Sequence, residues 1–136
     1  MSCIITVSGK NIDIDALLHD TGMTAYCVWH EGDVLKQNEK HNNSGANILV
    51  SDADLDNFEL QIEEATRFLE RFSSAVSTLV SFPGVECSTL NFGIALPADA
   101  VARIDFLPAR FIKAASLTGI EIQLSHYYCS DENEES

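Results

Sequence analysis

Apolar and polar positions along the chain alternate with two different periods, and the changes of period mark its elements. From Cys3 to Ser8, the residues Cys3, Ile5 and Val7 alternate with Ile4, Thr6 and Ser8. A period of two in mostly β-branched residues predicts a strand. Gly9-Lys10-Asn11 turns the chain. Asp13 is placed to cap a short helix that carries Ile14, Leu17 and Leu18 on one face and stops at Gly22. A second strand spans Thr24 to His30 and breaks at Glu31-Gly32-Asp33. Residues 37–47 have no apolar period and predict a long loop, followed by a short third strand at Ile48-Leu49-Val50.

The longest pattern comes next. Leu55, Phe58, Ile62, Ala65, Leu69, Phe72, Val76 and Leu79 recur at spacings of three and four. They predict one unbroken helix of about seven turns. Ser51 would cap it, with Asp54 in the capping-box position, and Pro83-Gly84 would end it. In Val85 to Leu96, Leu90, Phe92, Ile94 and Leu96 share one face of a further strand. Residues 97–106 are irregular or a short helix. Pro108 suits the first turn of a helix that buries Phe111, Ile112, Ala115 and Leu117 and closes at Gly119. In the last strand Ile120, Ile122 and Leu124 alternate with Glu121, Gln123 and Ser125, running on to Tyr127-Tyr128-Cys129.

Strands that alternate inside and out need cover on one face only. The expected fold is therefore α+β: a two-layer sandwich whose antiparallel or mixed sheet of about five strands carries its helices on one face, with ferredoxin-like character. Residues 1–129 form a single domain, and residues 130–136 read as a disordered acidic tail.

Charge narrows the function. The 136 residues include 21 acidic and 8 basic side chains, a formal net charge of -13. Nucleic acid and anionic membrane are poor partners for such a surface, whereas a basic protein is steered toward it. The chain opens directly into a strand, without a signal-peptide pattern, and no apolar run is long enough to span a bilayer, so a cytoplasmic location is expected. In that compartment Cys3, Cys27, Cys87 and Cys129 are read as packing residues rather than disulfide partners.

Two spacings resemble metal sites. Asp52-x-Asp54-x-Asp56 followed by Glu63 matches a calcium loop, but the helical stripe predicted through the same residues turns the carboxylates around a helix axis. Cys27-x-x-His30 and His126-x-x-Cys129 resemble two halves of a zinc site, yet residues three apart in a strand face opposite ways. Catalytic serine, zincin and phosphate-loop motifs are absent. No metal, cofactor or catalytic residue is therefore assigned, and the chain is read as a non-enzyme. Tyr26 and Tyr127 fall on the parity opposite to the core and are expected to share an uncovered sheet face with Glu121 and Gln123.

The opening strand into Ile12-Asp13-Ile14-Asp15, the Trp29-x-x-Gly32-Asp33 strand end, Ser44-Gly45, the long helix, and Gly119-Ile120-Glu121-Ile122 into Tyr127-Tyr128 carry a resemblance over most of the chain. The layout resembles a family of small bacterial domains of ferredoxin-like build, some of which look like immunity proteins of toxin systems. The chain departs from that pattern at Ala46-Asn47, where an aromatic often follows the glycine. The resemblance implies no catalytic residues.

The expected function is an acidic binding protein, an immunity protein that neutralises a cognate basic toxin, such as a nuclease, by covering its active site. The expected contacts are Trp29, Glu31 and Asp33 at a strand end, and Glu59, Glu63 and Glu70 on the wet side of the long helix. The alternative is a small-molecule-binding domain or enzyme using the open sheet face, with Tyr26, His30 and Tyr127 as polar contacts.

Overall fold

The opening alternation folds as strand β1 (Cys3–Gly9), in which Cys3, Ile5 and Val7 are fully buried and Ile4, Thr6 and Ser8 half-buried. β1 thus sets the two faces of the sheet, one turned to helices and one not. The computed structural model describes residues 1–35, 37 and 39–129. These form, after β1, helix α1 (Ile14–Thr21), β2 (Cys27–Trp29), β3 (Ser44–Ser51), α2 (Phe58–Arg71), α3 (Ser73–Ser81), β4 (Cys87–Pro97), α4 (Ala109–Thr118) and β5 (Glu121–Cys129). The expected tail at 130–136 lies outside the described residues.

The strands lie in the order β2-β3-β1-β4-β5. The first four pair antiparallel, and β5 is parallel to β4, with α4 as the crossover that a parallel pair requires. The fold is the expected α+β two-layer sandwich on a mixed sheet. Its apolar core joins Cys3, Ile5 and Val7 of β1, Ala46 and Ile48 of β3, and Leu90, Phe92 and Ile94 of β4 to the inner sides of the helices. Phe92 sits at its centre, edge-on to Phe58 of α2 at 5.5 Å and to Phe111 of α4 at 5.6 Å.

Several boundaries differ from the sequence reading. The long helix is two. Asn57, not Ser51, caps α2, its side chain accepting from the Leu60 N–H. Ser51 ends β3, and Leu55 is 40% exposed in the loop between. At Phe72 the backbone leaves helical geometry (φ -110°, ψ 29°), and α3 starts at Ser73-Ser74, residues of modest helix propensity. The stripe survives the bend, because Phe58, Ile62, Ala65, Leu69, Val76 and Leu79 are all buried.

β3 starts at Ser44, so Ser44 to Asn47, predicted as loop, are strand residues. β2 shrinks to three residues paired only with residues 45–47. In α4 the buried set is Phe111, Ala114, Ala115 and Thr118, whereas Ile112 and Leu117 face outward. The 3.6-residue period puts 111, 115 and 118 on one side and 112 on another. Among the described residues no helix is long and apolar enough to cross a membrane.

Candidate functional site

Trp29 and the residues after it build a short arm at the β2 edge. Because Thr6 and Asn47 pair on the face away from the helices, their neighbours in register, Cys27 and Trp29, lie on that face too. Trp29 is half-buried against Gly45 of β3. A methyl group at Gly45 would stand 2.3 Å from the indole and 2.6 Å from the Val7 carbonyl, so only glycine fits beneath this ring. The indole Nε1–H donates to Asn43 Oδ1 (3.0 Å), and His41 stacks on the ring at 5.8 Å. Trp29 therefore lies outside the helix-side core and forms a wall of the arm.

Hydrogen bonds close the arm. The Gly32 N–H donates to the His41 carbonyl and the His41 N–H to the Asp33 carbonyl, both at 2.8 Å. The Glu31 N–H donates to Ser44 Oγ, and Asp33 Oδ2 accepts from the His30 N–H, again at 2.8 Å. A further bridge joins Val34 to Lys40. The stretch predicted as featureless loop is thus partly paired, and the Trp29, Gly32-Asp33 and Ser44-Gly45 pieces, distant in sequence, are one local structure.

His30 ties this arm to the first helix. Its parity turns it to the helix side, where Nε2 lies 2.9 Å from Asp15 Oδ2, with Asp33 Oδ2 3.5 Å from Nδ1. The hydrogen bond to Asp15, with both carboxylates adding attraction, raises the pKa of His30 above the ordinary imidazole value. The contact gathers Asp13 and Asp15 of the α1 start with Glu31 and Asp33 of the arm. From Asp13 to Ser44 the chain has six carboxylates, Asp13, Asp15, Asp20, Glu31, Asp33 and Glu39, against Lys36 and Lys40. Asp15 was not a candidate from sequence; its only signal was its place after the Asp13 cap.

The helix-borne candidates stand in different surroundings. Glu59, Glu63 and Glu70 are exposed on α2, in the layer opposite to Trp29. Glu63 pairs with Arg67 one turn on. Glu70 receives both Nε and Nη2 of Arg110 from α4; this bidentate contact pulls the Glu70 pKa below, and the Arg110 pKa above, the usual values. Across α2 and α4 the carboxylates Glu59, Glu63, Glu64 and Glu70 face Arg67, Arg71, Arg110 and Lys113 in equal number. The outer helical face is balanced. Among the described residues the acidic surplus sits on the α1–arm edge and in residues 52–56, and the structure does not bring Trp29, Glu31 and Asp33 onto one surface with Glu63 and Glu70.

The open sheet face is mostly uncharged: Ile4, Thr6, Asn47, Leu49, Asn91, Gln123 and Tyr127, with Glu121 at its margin. Tyr127 is there as expected, but Tyr26 is not. With Cys27 and Trp29 on that face, Tyr26 and His30 point the other way. A notch of about 280 Å³ beside Tyr127 is lined by Met1, Ile4, Leu55, Asn91 and Gly93.

Neither metal spacing is assembled among the described residues, for reasons partly different from those expected. Residues 52–57 are loop, not helix, so the helical argument against a calcium site does not hold; instead, Asp52 pairs with the N-terminal ammonium at 2.8 Å. The two Cys–His pairs lie on β2 and β5, at opposite edges of the sheet. Among the described residues no group of three or more His, Cys, Asp and Glu side chains is placed to hold a metal ion. Burial, with Glu64 adding repulsion, pushes the Cys3 thiol well up, which leaves it a packing residue. Cys27 and Cys87 are exposed free thiols.

No protein-family model matches the chain, and no curated protein or solved structure matches it.

Proposed function

We propose that the chain is a cytoplasmic binding protein for a cationic protein, acting as an immunity protein that covers the basic active-site groove of a toxin domain. The observation that carries the reading is the separation of charge: a net -13 molecule with a balanced outer helical face and a net acidic α1–arm edge. Such an edge attracts a positive groove and raises the encounter rate. A nuclease fits best as the toxin class, because its groove must present positive charge to phosphates. Glu31, Asp33, Asp13, Asp15 and the exposed Asp20 of α1 would lead the contact, with Trp29 as the adjoining apolar wall and Glu59 beside the second acidic stretch. The β-α-β-β-α-β order of the elements up to β4, counting α2 and α3 as one crossover, supports the resemblance to immunity domains.

The small-molecule reading is weakened, since Tyr26 and His30 do not share the open face with Tyr127.

The test is co-expression of the chain with an inactivated toxin domain encoded beside its gene, followed by measurement of affinity. Glu31→Lys with Asp20→Lys should weaken binding at least tenfold, since each removed attraction across a close contact is worth about 1.4 kcal/mol or more. Glu63→Lys with Glu70→Lys should cost less. Equal loss from both pairs, or no binding to any neighbouring product, overturns the proposal.

A further inference from the structure

The arm that follows Trp29 is a hairpin bonded mainly to itself. Within it the Gly32 N–H donates to the His41 carbonyl, the His41 N–H to the Asp33 carbonyl and the Leu35 N–H to the Glu39 carbonyl. At its base the Glu31 N–H donates to Ser44 Oγ, where β3 begins. The strand behind it, β2, is only three residues long. Among the described residues a single hydrogen bond joins residues 30–41 to α1, from His30 Nε2 to Asp15 Oδ2 at 2.9 Å.

Both ring nitrogens of His30 face carboxylates. Asp15 of α1 stands at Nε2, and Asp33 Oδ2 of the arm is 3.5 Å from Nδ1. Only the imidazolium carries an N–H on each nitrogen. The neutral ring has one N–H and one lone pair, so either tautomer turns a lone pair toward a carboxylate.

The other charged groups nearby do not relieve this. On α1, Asp13 accepts from the Ala16 N–H, and His19 and Asp20 pair with each other at the far end of the helix. On the arm, Glu31 adds negative charge, Glu39 and Lys40 lie toward the hairpin tip, and His41 stacks on Trp29. The start of β3 contributes the uncharged Ser44 and Gly45. Among the described residues no lysine or arginine pairs with Asp15 or Asp33. Loss of the proton therefore turns an attraction between arm and helix into a meeting of like charges.

We infer that His30 is a proton-dependent latch: its imidazolium holds the arm against α1, and its deprotonation lets the arm lift from the helix and open the Glu31–Ser44 bond at its base. The two carboxylates keep the proton on the ring to higher pH than on a free imidazole, so the latch is closed in acid and opens as pH rises through that raised value. The latch is a property of the chain alone and does not depend on the partner proposed above.

Amide exchange of the full chain, followed by NMR from about pH 5.5 to 8.5, tests this; the range brackets the ordinary imidazole value of about 6.5. Each rate is divided by that of an unstructured chain at the same pH. Protection of the Glu31 amide should fall about two- to fivefold in one step, the effect an exposed ion pair carries, with the midpoint of the His30 ring itself. His30→Gln should remove the step and leave Glu31 at its high-pH protection throughout. Asp15→Asn should at least halve the step, and His41→Gln should retain it. The His30 and Asp15 side chains are 48 and 72% exposed, so neither variant disturbs the core. A Glu31 amide whose protection ignores pH, or a step that survives His30→Gln or disappears in His41→Gln, overturns the proposal.

Discussion

Gly45 shows how one missing side chain fixes the position of the candidate tryptophan. Gly45→Ala would push its methyl into both the indole and the backbone of β1, which cannot both yield. The expected cost is about 1–3 kcal/mol in chemical denaturation, with a shift in Trp29 emission as the ring lifts. Gln61 holds another long-range contact: fully buried on α2, it donates from Nε2 to the carbonyls of Gly93 and Asp54. Gln61→Leu strips both bonds and should destabilise by about 1–3 kcal/mol. His30 titrates above its ordinary value because Asp15 favours its charged form. Its contribution is therefore fully present below the unfolded pKa of about 6.5 and is lost as pH rises through the higher folded value. An NMR titration should place the midpoint high, and Asp15→Asn should lower it; an unmoved midpoint contradicts the contact. None of these pairings was legible in the sequence, since each joins residues that only the register and the packing bring together.

At the scale of elements, the hydrophobic period was a sound guide to identity and a poor one to limits. The stripe from Phe58 to Leu79 was read correctly as one buried face, yet a period says nothing of a bend that keeps its backbone bonded, as Phe72 does through its own N–H to the Phe68 carbonyl and its carbonyl to the Val76 N–H. The start was missed because Ser51 and Asn57 are both good caps, and only the pairing of β3 decides between them. Asn57→Ala should cost about 0.5–2 kcal/mol of stability by thermal or urea unfolding. The third strand was legible only from Ile48 onward: Ser44, Gly45 and Ala46 are small because Trp29 and the core leave no room, a reason invisible in the sequence. For the candidate site the same limit applies. Trp29, Glu31 and Asp33 were legible as a cluster from their closeness in the chain, whereas the neutralisation of Glu70 by Arg110, forty positions away, was not.

For the whole molecule, net charge was known from composition, but its distribution needed the fold. The outer helical face cancels its own charges, and exposed pairs of this kind contribute little to stability. The surplus gathered around α1 and the arm is stabilised only in part by His30, so it is available to a positive partner. The most direct test is the salt dependence of affinity for the cationic toxin domain proposed above as partner, read by calorimetry for the wild type and for Glu31→Lys with Asp20→Lys. The account predicts a steep fall in affinity as salt rises and a clearly shallower fall for the variant. An affinity that ignores ionic strength, or a variant with the wild-type slope, would contradict it.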